Sequence, residues 1–124
     1  MLGHQLCIDL FECDASILDK PDEIESAVRA LAHGIGAAIV HVSSYRFAPQ
    51  GLSCMAQISA SHIAIHTWPE NRFAAVDVFS CTSPIAVRDM TEILQKAFGM
   101  RAVSCTEVRR GAALTSPFFR EPAG

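Results

Sequence analysis

The chain is 124 residues long, half of them apolar, with a formal net charge of −3 and a mean hydropathy of +0.25. That length fits one domain spanning 1–124, since two domains would leave each half too small to bury a core. The basic residues are scattered among more numerous acidic ones; no Lys/Arg stripe exists for a phosphate backbone, so nucleic acid is not an expected partner.

The opening stretch MLGHQLCIDLFEC lacks a basic leader and sets Asp9 inside its apolar run, which argues against a signal peptide. No apolar run reaches bilayer length, so no membrane association is expected. The cysteines at 7, 13, 54, 81 and 105 are odd in number and form no C-x-x-C pair. That usage fits a reduced, cytoplasmic chain better than a disulfide framework. High hydropathy for so small a chain also predicts apolar surface covered by a second subunit.

Residues 4–12 alternate as a first strand. Pro21 and the acidic residues 22, 23 and 25 then open a helix, with Ile24, Val28, Leu31, Ala32 and Ile35 at helical spacing and Gly34 or Gly36 as its stop. Residues 37–47 read as a second strand, APQG as a turn, and 52–60, 62–68 and 73–79 as three more strands. A second helix is signalled by Ser83 as N-cap and Pro84 at the first helical position, with Ala86, Met90, Ile93, Leu94, Ala97 and Phe98 on one face and Gly99 at the end. A last strand lies near 100–109, and in the turn-rich tail Phe118 and Phe119 are candidates for docking.

The order β-α-β-β-β-β-α-β has too few helices for a doubly wound parallel sheet. It predicts an α+β fold, a two-layer sandwich in which two helices cover one face of a mainly antiparallel sheet. A second protomer, pairing sheet to sheet in a dimer, is the natural cover for the other face.

His62 and His66 have the H-x-x-x-H spacing that on a helix would present two metal ligands. The surrounding HIAIHTW alternates as a strand, where residues four apart lie about 13 Å apart, so no metal site is expected. Cys81 with His66 could form a thiol nucleophile and base. Taken singly, each reads first as structural: Cys81 as a small buried hydrophobe, His66 as a core histidine and Ser61 as a turn residue.

The combination is more specific. SHIAIHTWPENRFAAVDVFSC (61–81), with FAPQGLS (47–53) and LGHQLCIDLFEC (2–13), closely resembles the short bacterial and archaeal S-adenosylmethionine decarboxylases, from Leu2 to about Gly111. These are self-processing enzymes that carry a pyruvoyl group. Decarboxylating an amino acid needs an electron sink that no ordinary side chain supplies. Lys20 and Lys96, the only lysines, sit in no phosphate-binding context that would suit a pyridoxal cofactor.

The resemblance implies that the chain is cut between Ala60 and Ser61 into fragments 1–60 and 61–124, with Ser61 becoming the pyruvoyl group that forms a Schiff base with substrate. It implies that His66 takes the proton during processing with Ser53 assisting, and that Cys81 is the proton donor in catalysis. Glu70 corresponds to a carboxylate for ribose hydroxyls and Phe47 to a stacking partner for adenine, with Trp68 and Tyr45 as weaker members of that wall. The substrate implied is S-adenosylmethionine, decarboxylated to the aminopropyl donor of spermidine synthesis by a homodimer of processed protomers. Two departures stand out: Ala60 replaces the family's usual glutamate, and TSPIAVRDM after Cys81 lacks the family's acidic-aromatic character. They keep open a decarboxylase of ornithine or arginine on the same framework, and an unprocessed, non-catalytic paralogue.

Overall fold

The computed structural model describes residues 2–59, 61–81 and 84–111. Strand β1, Gly3–Phe11, alternates as its sequence demands: His4, Leu6, Ile8 and Leu10 are buried, while Gln5, Cys7, Asp9 and Phe11 point the other way. A short helix, α1 (Ala15–Leu18), follows, which periodicity does not reveal because it is only four residues long. It forms because the Asp14 carboxylate accepts both the backbone N–H and the hydroxyl of Ser16, at 3.0 and 2.7 Å. Helix α2, Pro21–Gly34, begins at its proline and buries Ile24, Ala27, Val28, Leu31 and Ala32.

Strands β2 (Ile39–Arg46), β3 (Leu52–Ile58), β4 (Ser61–Trp68) and β5 (Phe73–Ser80) run as a meander, with a 3-10 turn at Pro69–Asn71 between the last two. Helix α3 spans Val87–Phe98, ended by Gly99 at φ +60°, and β6 spans Ala102–Arg110.

Helix α3 starts three residues after Pro84, where the Ser-Pro signal places its first turn. Ser83 lies outside the described residues, and the reason for the late start is visible at Ile85. Its backbone N–H donates to Nδ1 of the buried His4 at 2.9 Å, and its side chain is in the core, so the chain stays extended until Ala86. The expected docking of Phe118 and Phe119 likewise falls outside the described residues.

The sheet order is β2-β3-β4-β5-β1-β6, and every neighbouring pair is antiparallel. The first strand is thus inserted between the fifth and the sixth. All three helices lie on one face, where Leu6, Ile8, Leu10, Ile63, Ile65, Val76 and Val78 meet Leu18, Ile24, Leu31, Met90, Leu94 and Phe98 in a single core. Gly34 lets α2 and α3 approach, since a Cβ there would stand 2.7 Å from Ile93 Cδ1. The opposite sheet face carries no helix among the described residues and exposes Phe11, Tyr45, Met55, Trp68 and Val108. The α+β sandwich read from the sequence is therefore the observed one, with one extra short helix.

Leu94 is fully buried at the contact of α3 with the sheet. Leu94→Ala should cost about 3 kcal/mol of stability through lost transfer energy and a residual cavity, read from the midpoint of urea unfolding at unchanged slope.

Candidate active site

Strand pairing decides which side chains meet. In the β3–β4 ladder Ser53 lies opposite His66, and both point to the helix-free face. Ser53 Oγ and His66 Nδ1 are 2.8 Å apart, a well-formed hydrogen bond. One residue further, Thr67 turns into the core, where its hydroxyl donates to the Leu18 carbonyl at 2.7 Å and accepts the Leu52 N–H at 2.9 Å. A buried hydroxyl satisfied on both sides fixes this end of the two strands.

Beside the Ser53–His66 pair lies a cavity of about 380 Å³, bounded by Phe47 and Gln50 from the β2–β3 loop and by Trp68 and Glu70 at the end of β4. Its size falls within the range of small-molecule sites. Tyr45 does not line it but meets the Phe47 ring edge-on at 5.0 Å from outside. Trp68 is held by Phe73, at 5.5 Å between ring centroids, and Phe73 by Phe11 at 5.4 Å. Glu70 sits in the 3-10 turn, whose end is set by Arg72 in the left-handed region at φ +51° with its Nε donating to the Cys13 carbonyl at 2.9 Å. The structure thus gathers Phe47, Ser53, His66, Trp68 and Glu70 at one place. The sequence pattern missed Gln50, which resembles any other turn residue until the fold closes.

A second cluster occupies the opposite end of β4. Ser61 pairs with Ser80, and the exposed Cys81 follows directly. Ser61 has φ +147°, a region essentially reserved for glycine, which costs a residue with a side chain about 1–3 kcal/mol. Its Oγ is 3.4 Å from His62 Nδ1, longer than a good hydrogen bond. His62 is thus the histidine nearest Ser61, and nothing in the sequence marks it above His66. Ala60 lies outside the described residues.

These clusters are not one site within a protomer. Ser61 and His66 are five residues apart on one extended strand, a separation of about 16 Å. The same strand geometry separates the rings of His62 and His66, and no cluster of three or more potential metal ligands occurs among the described residues.

The thiols divide in the same way. Burial pushes Cys13 up to about 11, against the lowering effect of Arg72, and burial also raises Cys54 and Cys105. Cys7 is raised by burial and by the Asp77 carboxylate beside it. Cys81 is the exposed member of the five.

The whole arrangement has counterparts. The profile of the S-adenosylmethionine decarboxylase family matches residues 4–111. The chain belongs to that family. It is 41% identical over 110 residues to an S-adenosylmethionine decarboxylase proenzyme of Acidithiobacillus ferrooxidans, covering 89% of this chain and 83% of the relative. It is 39% identical over 121 residues to that of Acetivibrio thermocellus, covering 98% and 93%. Its fold matches the crystal structure of the adenosylmethionine decarboxylase from Aquifex aeolicus VF5 with a TM-score of 0.80 over 99% of this chain and 97% of the other, at 24% identity. In this member of the decarboxylase family, the two clusters hold Phe47, Ser53, Ser61, His66, Trp68, Glu70 and Cys81, while Tyr45 lies outside them.

The exposure of Cys81 and the burial of Cys13 predict which of the two reacts. At pH 8 a thiol raised to about 11 is ionised to about one part in a thousand and Cys13 is also buried, so iodoacetamide should label the exposed Cys81 at least about tenfold faster than Cys13. Peptide mass mapping of a labelling time course checks this.

Proposed function

We propose that the chain is a self-processing, pyruvoyl-dependent decarboxylase of S-adenosylmethionine, supplying the aminopropyl donor for spermidine synthesis, and that it works as a homodimer. The observation that carries this reading is the division of one family's residues between the two ends of β4. Ser61 and Cys81 of one protomer form a complete site when the Ser53–His66 pair and cavity of a second protomer are laid against them. A two-fold axis that packs the helix-free faces together does this twice, and covers the exposed Phe11, Met55 and Val108.

In processing, Ser61 Oγ adds to the Ala60 carbonyl carbon and the C–N bond breaks, so that the amide becomes an ester and the Ser61 amine is freed. Loss of the Ser61 α-proton then expels the Ala60 carboxylate by β-elimination and separates fragments 1–60 and 61–124. Water replaces the nitrogen, which leaves as ammonia, and residue 61 becomes a pyruvoyl group. The residues fit this origin: a hydroxyl directly follows a peptide carbonyl, in a backbone conformation under strain at Ser61. Relief of that strain favours the forward direction. The α-proton goes to the partner's His66. With Nδ1–H donating to Ser53 Oγ, Nε2 keeps a free lone pair to receive it. The acyl shift uses the backbone carbonyl of residue 60, so Ala60 in place of glutamate leaves the chemistry available.

The pyruvoyl carbonyl supplies the electron sink that decarboxylation requires. Cys81, beside it, holds the proton returned to the substrate carbon after CO2 leaves. Phe47 and Trp68 offer faces for adenine and for the sulfonium cation, and Glu70 an acceptor for ribose hydroxyls. A cavity with two aromatic walls and one carboxylate favours this substrate over ornithine or arginine, whose recognition needs charge rather than a stacking platform. The cysteine usage supports a cytoplasmic location.

Intact mass under denaturing conditions should give two fragments joining at 60/61, with the second blocked at its N-terminus, and CO2 release should occur with S-adenosylmethionine but not ornithine or arginine. Ser61→Ala should abolish both cleavage and release; Cys81→Ala should slow turnover at least about a hundredfold while leaving cleavage intact, as loss of a positioned proton donor does. A single full-length species in an active preparation rejects the proposal. Co-expression decides the shared site. Neither Ser61→Ala nor His66→Ala should cut itself alone, whereas mixed dimers should cut the His66→Ala chain, because it then meets the intact His66 of its partner. No cleavage in the mixture would place the whole site within one protomer.

A further inference from the structure

The cavity's aromatic lid hangs on a loop, and the loop hangs on one carboxylate. Residues 47–50 carry Phe47 and Gln50 over the cavity. Within the loop the only backbone closure is Phe47 N–H donating to the Gly51 carbonyl at 2.8 Å. Its attachment to the rest of the molecule comes from Asp19, the residue that ends α1. One carboxylate oxygen, Oδ1, accepts the Gly51 backbone N–H at 3.0 Å, and the other, Oδ2, accepts Nη2 of Arg46 at 3.0 Å. Arg46 immediately precedes the loop and Gly51 closes it, so a single side chain holds both ends.

Several observations separate this from an ordinary surface ion pair. The Gly51 contact is a charge-assisted bond to backbone in a partly buried position, the stronger class of hydrogen bond. Gly51 is held at φ +99°, and a Cβ there would stand 3.0 Å from the Thr67 carbonyl oxygen, so the loop is pressed onto β4 at this point. The preceding residue, Leu18, accepts the Thr67 hydroxyl through its carbonyl. The end of α1 therefore ties the loop through Asp19 and β4 through Leu18, and the two walls of the cavity share one anchor.

We infer that Asp19 is a positioning residue of the substrate cavity: by latching the 47–50 loop at both ends, it sets the affinity for the nucleoside part of the substrate without touching the reacting atoms. This rests on the proposed decarboxylase reading. Binding lost at a remote part of the substrate appears in KM, whereas loss at the reacting centre appears in kcat.

The test uses the processed, full-length enzyme with Asp19→Ala, Asp19→Asn and Arg46→Gln. Trp68, the only tryptophan in the chain, lines the cavity, so its fluorescence reports binding of S-adenosylhomocysteine as a probe. For Asp19→Ala, KM for S-adenosylmethionine and Kd for the probe should rise about tenfold, the scale of one lost charge-assisted hydrogen bond, with kcat within about twofold of wild type. Cleavage at 60/61 should be complete, and hydrogen exchange should accelerate at the Gly51 amide but not at Cys54 or Ala56 in β3. Arg46→Gln keeps the Gly51 bond and should show a smaller rise, and Asp19→Asn, which keeps one acceptor, should lie between. A fall in kcat at unchanged KM, or unchanged KM and Kd despite faster exchange at Gly51, overturns the inference. Should Asp19→Ala not fold, the other two variants decide by the same measurements. Absence of cleavage or of CO2 release in the wild type is a failure of the decarboxylase reading instead, and is distinct because it needs no variant.

Discussion

The antiparallel register of β3 on β4 is the constraint from which the rest of the molecule follows. It sets Ser53 against His66 at one end and Ile58 against Ser61 at the other. Because side chains alternate, a slip of β3 by one residue would turn Ser53 into the core, away from His66, and bring Cys54 out to solvent. The buried pair of bonds at Thr67 and the apolar inward row of Leu52, Cys54, Ala56 and Ile58 both oppose that slip. Hydrophobic burial on one face thus fixes polar geometry on the other.

The helix-free face combines two properties that usually conflict. It is apolar enough at Phe11, Met55 and Val108 to favour association, yet it carries Asp77, Cys7 and the Ser53–His66 pair, which need partners or water. The proposed dimer, with its reaction chamber in the interface, would reconcile the two, since the polar groups would be used and the apolar ones would seal them. The strain at Ser61 belongs to the same economy, because the fold holds a non-glycine residue where the chain alone would not place it.

Much of this was legible in the sequence, for reasons that can be named. Alternation over Gly3–Phe11 and Phe73–Ser80, and the proline-led α2, are local patterns backed by burial, and they appear where the sequence puts them. Helix α1 was not legible, since four residues held by the Asp14 cap show no period. The start of α3 was displaced by the His4–Ile85 hydrogen bond, a contact between residues 81 positions apart that no local window contains. At the site, the SHxxxHTWPE resemblance named His66, Trp68 and Glu70, which the fold gathers around one cavity, but it concealed the distance between Ser61 and His66. Five residues look adjacent in sequence and span half the sheet when extended. Gln50 and Asp19 were silent because their importance comes from where the loop closes.

The insertion of β1 between β5 and β6 has a further consequence. The proposed cut at 60/61 would assign β1, β2 and β3 to one fragment and β4, β5 and β6 to the other, so three of the five strand pairings would join different fragments. The severed bond would carry no mechanical duty, since the cut molecule would hold together through its sheet. Its folding reaction nonetheless changes order. Before the cut, one chain collapses on itself; afterwards, recovery from the unfolded state is a second-order encounter of two chains, dependent on dilution. Under the proposed cut, the processed protein would persist by slow unfolding rather than by ready return.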